Sequence, residues 1–231
     1  GTQFSETVTF EEAVFDGETR IAPEPYGERS LISMHSAVLL EGVISESKDG
    51  PVFYDMTQAT VGDVKLIERE PETNIFDRFL FRNTNFDGFD FSLHRGYLAK
   101  NNWKIHRIDT DPSLFSYGKF ESETSLSDLE TTYLKAKTGA GDEGDNKATS
   151  EFFLRELRYR RKQYAEIALN PWEYGVKNSL RSGGRWVANR FFDSTCGYGE
   201  RPSKVIVSSA VIVGLFGILY FLMDVELPNE G

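Results

Sequence analysis

The sequence predicts a mainly β solenoid, followed by a helical hairpin and one C-terminal transmembrane helix. Three observations carry this. Apolar residues recur every five positions through the front half, a glycine-rich break separates two helix-forming stretches in the middle, and the run 205–223 passes without a charge. The corresponding divisions are 1–108 for the solenoid, 109–170 for the hairpin, 171–204 for a basic juxtamembrane segment, 205–223 for the membrane helix and 224–231 for a tail.

The period is clearest at Phe76, Phe81, Phe86 and Phe91, and the same register runs back through Leu66, Val61 and Met56. It fails at Pro71, whose missing N–H cannot join a strand ladder. Met34, Leu39 and Ile44 form a second series, and Phe10 and Phe15 a third. A helix or an ordinary strand does not produce a spacing of five. A fixed short period is the mark of stacked coils, in which equivalent side chains of neighbouring turns meet inside. Phe76, Phe81, Phe86 and Phe91 are therefore the expected structural core. Pro23–Pro25 and Ser45–Pro51 interrupt the period and read as loops. A Phe-rich β-sandwich with chance spacing is the competing reading.

In the middle of the chain Ser127 and Glu130 have capping-box spacing ahead of Leu134 and Ala136. Gly139–Gly144 should end that helix, and Asp145 or Asn146 can cap the next. The second helix, over 147–169, carries Phe153, Leu157, Tyr164 and Ala168 on one stripe, with Glu151–Arg155 and Glu156–Arg160 as i,i+4 pairs. Asn170–Pro171 ends it.

Charge divides the chain. The net charge is -10, and residues 1–124 hold 22 acidic and 12 basic side chains, whereas 151–204 hold six acidic and eleven basic. So acidic a surface excludes simple nucleic-acid binding through the whole molecule. At 1.5 Å per residue the run from Val205 to Met223 reaches about 28 Å, close to a hydrocarbon core of about 30 Å. Lys177, Arg181, Arg185, Arg190, Arg201 and Lys204 precede it, and Asp224 and Glu226 follow. Positive charge stays on the cytoplasmic side, so the expectation is a single-pass protein of the cell membrane with its N-terminal domain cytoplasmic and its tail outside. Arg181, Arg185, Arg190, Arg201 and Lys204 are the expected headgroup contacts. Ala210 and Gly214, four apart, are the candidate face for helix pairing, against a monomeric anchor.

Chemistry-bearing motifs are few. Thr195-Cys196-Gly197-Tyr198-Gly199 imitates a potassium filter, but the preceding residues 181–193 carry three arginines, so a turn into the membrane is the better reading. His35, His94 and His106 lack zinc spacing, Asp142, Glu143 and Asp145 lack a calcium-loop pattern, and no nucleotide or hydrolase motif occurs. No catalytic residue, cofactor or metal is expected. The single Cys196 permits no intrachain disulfide and fits a reducing compartment.

Thr84–Gly88 (TNFDG), Phe89–Leu93 (FDFSL) and Ala13–Gly17 (AVFDG) resemble the pentapeptide-repeat family, whose pattern is A(D/N)LXX with Leu or Phe at the centre. That resemblance implies a right-handed quadrilateral β-helix, one five-residue face per repeat and four faces per coil. Phe79 and Phe89 depart from it, since the position two before the centre should be small. The ordered set of SEFFLRELRYRRK, Trp186–Asn189, CGYGERP and a membrane helix, after such repeats, is similar to a membrane family common in salt-loving archaea. Some members of that family continue into an ion-channel pore. The pI near 4.9 suits such an origin. The resemblance supplies no activity of its own, and the leading expectation is a membrane-anchored, non-enzymatic interaction or scaffold protein. Its partners would be membrane lipid, a cytosolic protein of unknown identity and, for a homo-oligomer, a second copy. The alternatives are the cytosolic and first-helix portion of a potassium-type channel subunit, and an acidic DNA mimic.

Overall fold

Parallel strand pairing stacks the front half of the chain into coils. The computed structural model of the chain describes residues 7–24, 30–48, 50–69, 75–106 and 125–223. Pro25, Pro71, Asp224 and Glu226 lie outside the described residues.

Among these residues nine strands form two parallel sheets. One sheet orders β1 (Thr7–Thr9), β4 (Ser30–Ser33), β6 (Val52–Asp55) and β8 (Phe79–Leu80). The other orders β2 (Val14–Phe15), β5 (Val38–Ser45), β7 (Thr60–Ile67) and β9 (Asn85–Phe86), with β3 (Thr19–Ile21) also beside β5. Thr7 lies opposite Leu31, Leu31 opposite Phe53 and Tyr54 opposite Phe79, so three successive coils take 24, 22 and 25 residues. The architecture is a parallel β-solenoid of about three turns.

The five-residue period is the inward direction. Met34, Leu39, Ile44, Met56, Val61, Phe76, Phe81, Phe86 and Phe91 are all buried, with Phe10, Phe15 and Leu66 packed against them. The register stacks Phe15, Leu39, Val61 and Phe86 in one column. Strand side chains alternate, so the residue two before each centre also faces in. Ala37 and Ala59 fill that position in two coils, and Thr84 fills it in the next, its hydroxyl donating to the Met56 carbonyl at 2.7 Å. Where coils are wider the same position is aromatic: Phe79 stacks on Tyr54 at 4.5 Å, and Phe89 lies 5.0 Å from Phe91. The departure from a small residue at Phe79 and Phe89 is thus a filled core.

Between the two sheets each coil turns the same corner. Glu12, Ser36, Gln58 and Asn83 all have φ between 51° and 60°. In three of the coils the alanine after that residue donates back to the carbonyl three positions earlier, as from Ala37 to Met34 at 3.0 Å. Neighbouring corners are tied by Ser36 N–H to the Thr57 carbonyl and Gln58 N–H to the Arg82 carbonyl.

After Phe86 the coil takes a helical detour and comes back at Ile105, whose carbonyl accepts from Phe81 N–H at 3.0 Å as the Leu80 carbonyl accepts from Met56 N–H. Phe91–His94 is a 3-10 turn, and α1 (Arg95–Lys100) follows directly. Asp90 caps the turn by accepting from Ser92 N–H, which commits the chain to helical backbone although Phe91 keeps its place in the core. Next come α2 (Leu126–Asp142) and α3 (Asn146–Leu169).

Several local expectations change here. The cap of α2 is Ser125 rather than Ser127: its Oγ accepts from Asp128 N–H at 3.0 Å, while the Asp128 carboxylate accepts from Ser125 N–H. Starting there brings Leu126 against the core. The helix also runs through Gly139, because α2 meets β9 so closely that a Cβ there would lie 2.5 Å from the Phe86 carbonyl oxygen. Asp145 caps α3, accepting from Lys147 and Ala148 N–H. In α3 the core residue is Phe152, 4.8 Å from Phe91, and not Phe153. Glu156 pairs with Arg160 as expected, and with Lys137, and Glu151 pairs with Lys147.

The chain divides into two compact units, residues 1–160 and 161–231. The first keeps α2 and the front of α3 with the solenoid, because their apolar faces complete its core. The second holds the end of α3, then α4 (Pro171–Tyr174), α5 (Val176–Thr195) and α6 (Pro202–Leu222).

Candidate functional site: an unburied apolar helix and its basic collar

Pro202 opens α6 at a position where a missing N–H costs nothing. With it, 21 residues form one helix, about 32 Å long. None of them is buried, and this is the one helix among the described residues long and apolar enough to cross a membrane. A core helix of a soluble fold hides at least one face; this helix hides none. Ala210 and Gly214 lie on it fully open, and a Cβ at Gly214 would meet nothing within 4 Å.

The junction before α6 is tightly built. Asp193, in the last turn of α5, accepts from Arg161 at 2.6 Å and from Lys204 at 3.1 Å, with Arg190 at 3.6 Å. Lys204 also donates to the Asp193 backbone carbonyl at 2.5 Å. Burial alone would raise the Asp193 carboxyl, but the hydrogen bonds from Arg161 and Lys204 outweigh it and hold the group below its ordinary range. The tie is completed by Ser208, whose hydroxyl donates to the Thr195 carbonyl at 2.8 Å.

The filter-like stretch is a turn. Tyr198 has φ 58° and Gly197 φ 54°, both left-handed. A Cβ at Gly197 would sit 2.9 Å from Arg201 Cβ, so only glycine fits there without displacement. The Cys196 carbonyl accepts from Gly199 N–H and the Gly197 carbonyl from Glu200 N–H. With the Thr195 carbonyl taken by Ser208, these oxygens are turned inward to the turn itself and do not line a pore. Tyr198 donates its hydroxyl to Asn189.

The collar residues separate into two kinds. Lys204 and Arg190 serve the Asp193 cluster, and Arg185 lies over the Tyr164 ring at 5.7 Å. Arg181 and Arg201 are exposed. Sequence reasoning missed Asp193 as the organising group. Its signal was present: it is the only acid between Glu173 and Glu200, in a segment rich in arginine.

Phe76, Phe81, Phe86 and Phe91 belong to the core of the first unit, remote in role from this junction. The histidines are dispersed as expected: His94 stacks on Phe89, and His106 bonds Tyr133 at 2.8 Å. Among the described residues no group of three His, Cys, Asp or Glu could hold a metal. Comparison of the chain with protein-family models, curated proteins and solved structures finds no match.

Proposed function

We propose that this is a single-pass, membrane-anchored interaction protein without enzymatic activity, whose solenoid and helices face the cytoplasm and bind a protein partner there. The observation that carries it is α6, without a charge from Val205 onward and with no buried residue. Leaving so many large side chains in water has no counterpart in a soluble monomer, whose largest exposed apolar patches span a few hundred Å2. Orientation rests on the basic residues before the helix and the acidic ones after it. We read the solenoid as the right-handed quadrilateral coil of pentapeptide-repeat proteins, with α2 and α3 as a hairpin. The inward five-residue columns and the repeated left-handed corner support that reading.

The test is fractionation. The full chain should stay in the membrane pellet through carbonate and high-salt washes, and deleting residues 203–231 should release it. Protease added to sealed right-side-out vesicles should leave the solenoid intact. A full chain that remains soluble without detergent would overturn the proposal, and a solenoid digested from outside would reverse its orientation.

A further inference from the structure

Helix α5 carries an apolar stripe that its own unit leaves uncovered, with a cationic stripe beside it. Ser179 donates to the Ile167 carbonyl, Ser182 is buried, and Asp193 holds Arg161, so these positions mark the side turned toward α3. Val176, Leu180, Val187 and Phe191 recur at spacings of four, seven and four, which places them on one stripe away from that side. They are between 58% and 74% exposed. Lys177, Arg181 and Arg185, each four apart and all exposed, form the adjacent stripe. Just before the helix Trp172 is fully exposed.

We propose that α5 lies along the membrane surface, with Val176, Leu180, Val187 and Phe191 sunk into the headgroup–acyl boundary and Lys177, Arg181 and Arg185 on anionic lipid phosphates. The inference rests on α6 being a membrane anchor. An apolar stripe bordered by cations, with Trp and Phe at its ends, is the pattern of helices that lie in the interface and do not cross it. Charge complementarity selects anionic lipid as the occupant. Continuity places it within reach: only six residues, Cys196–Arg201, separate α5 from α6, and Asp193–Lys204 and Thr195–Ser208 bind the end of one to the start of the other. The arginines that form one undivided collar in the sequence therefore have distinct tasks. Arg161 and Lys204 hold the junction, while Lys177 and Arg181 meet the lipid together with Arg185, whose guanidinium lies over the Tyr164 ring and is exposed on its other side.

The experiment uses the full chain with Cys196→Ser, spin-labelled at single cysteines and reconstituted in vesicles of phosphatidylcholine with or without phosphatidylglycerol. Val187→Cys and Phe191→Cys report the stripe, Leu215→Cys the spanning helix and Asp142→Cys a water-exposed control. All four sites except Asp142 are exposed apolar positions, so the labels do not disturb packing. In anionic vesicles the stripe labels should favour oxygen over an aqueous nickel chelate, intermediate between the labels at 142 and 215. Replacing Lys177, Arg181 and Arg185 by Gln should reduce the lipid-embedded population, by about fivefold for each cation removed. Stripe labels as nickel-accessible as position 142, with position 215 still in lipid, would overturn this inference and leave the anchor standing. A nickel-accessible position 215 would overturn both. Dipolar broadening between stripe labels would mean that a second copy covers the stripe, and would overturn it as well.

Discussion

Gly139→Ala sets two effects of similar size against each other. Alanine is favoured over glycine inside a helix by about 1 kcal/mol, since it restricts the unfolded chain. At Gly139 the new Cβ would lie 2.5 Å from the Phe86 carbonyl oxygen, 2.6 Å from Phe86 Cβ and 3.1 Å from Phe86 C. Two of these neighbours are backbone atoms of β9, fixed by pairing to β7, so α2 would have to withdraw. Overpacking costs about 1–3 kcal/mol, and contacts this short against paired backbone belong to the upper half, about 2–3 kcal/mol. Gly141, two residues on, is the internal control: it is exposed, and its Cβ would meet only Thr149 at 3.7 Å. Gly141→Ala should therefore stabilise by up to about 1 kcal/mol, whereas Gly139→Ala should destabilise by about 1–2 kcal/mol net. In thermal melts of the detergent-solubilised chain this corresponds to opposite Tm shifts of about 2–6 °C. If Gly139→Ala stabilises as much as Gly141→Ala, α2 is not seated on the last coil.

The other expectations are checked the same way. Phe86→Ala empties a site bounded by Phe81, Phe89 and Phe91 and should cost about 3–5 kcal/mol, whereas outward-facing Asp87→Ala should cost under about 0.5 kcal/mol; equal losses would contradict the inward–outward assignment. Burial of His94 against Phe76 and Phe89 lowers its pKa from 6.5, with Asp90 opposing more weakly. A depressed folded value means its contribution is complete above pH 6.5 and is lost as pH falls through the folded value, so denaturant titrations should show a decline below pH 6.5 that His94→Gln flattens. In a membrane dimerisation reporter carrying residues 203–224, Gly214→Ile should lower the signal if helices pair through Ala210 and Gly214; an unchanged signal would remove that face from consideration.

The part of the fold that the sequence discloses is the part where geometry repeats. Each coil must place an apolar side chain at the same point, so Met56, Val61, Phe81 and Phe86 keep their spacing whatever the connecting segments do. Coil length is hidden for the same reason, since extra residues are absorbed where no column constrains them, giving 24, 22 and 25 residues. Choices between near-equivalent neighbours were settled by tertiary contact. Ser125 and Ser127 each stand three before an acid, and Asp128 wins because it also accepts from the Asn83 side chain. Phe152 and Phe153 are adjacent, and only docking on Phe91 and Trp103 selects the first. At the junction the basic collar was legible as composition. Its division was not, because Arg161 reaches Asp193 across 32 positions of sequence.

The most informative residue for how the first unit holds together is Asn83. At the equivalent corner one coil earlier, Gln58 N–H donates to the Arg82 carbonyl of the next coil. Asn83 stands in the last coil, and its partners come from α2 instead: its N–H donates to Thr132 Oγ1 at 2.9 Å, its carbonyl accepts from Lys135 at 2.6 Å, and its side chain donates to Asp128. Asp128, Thr132 and Lys135 are spaced as one face of a helix, so α2 presents to the edge the hydrogen bonds that a further coil would have supplied. A strand edge left open invites pairing with other chains, and this face covers the corner just before β9. What the last coil still turns outward is its side wall, and over residues 1–124 the sequence carries 22 acidic against 12 basic side chains.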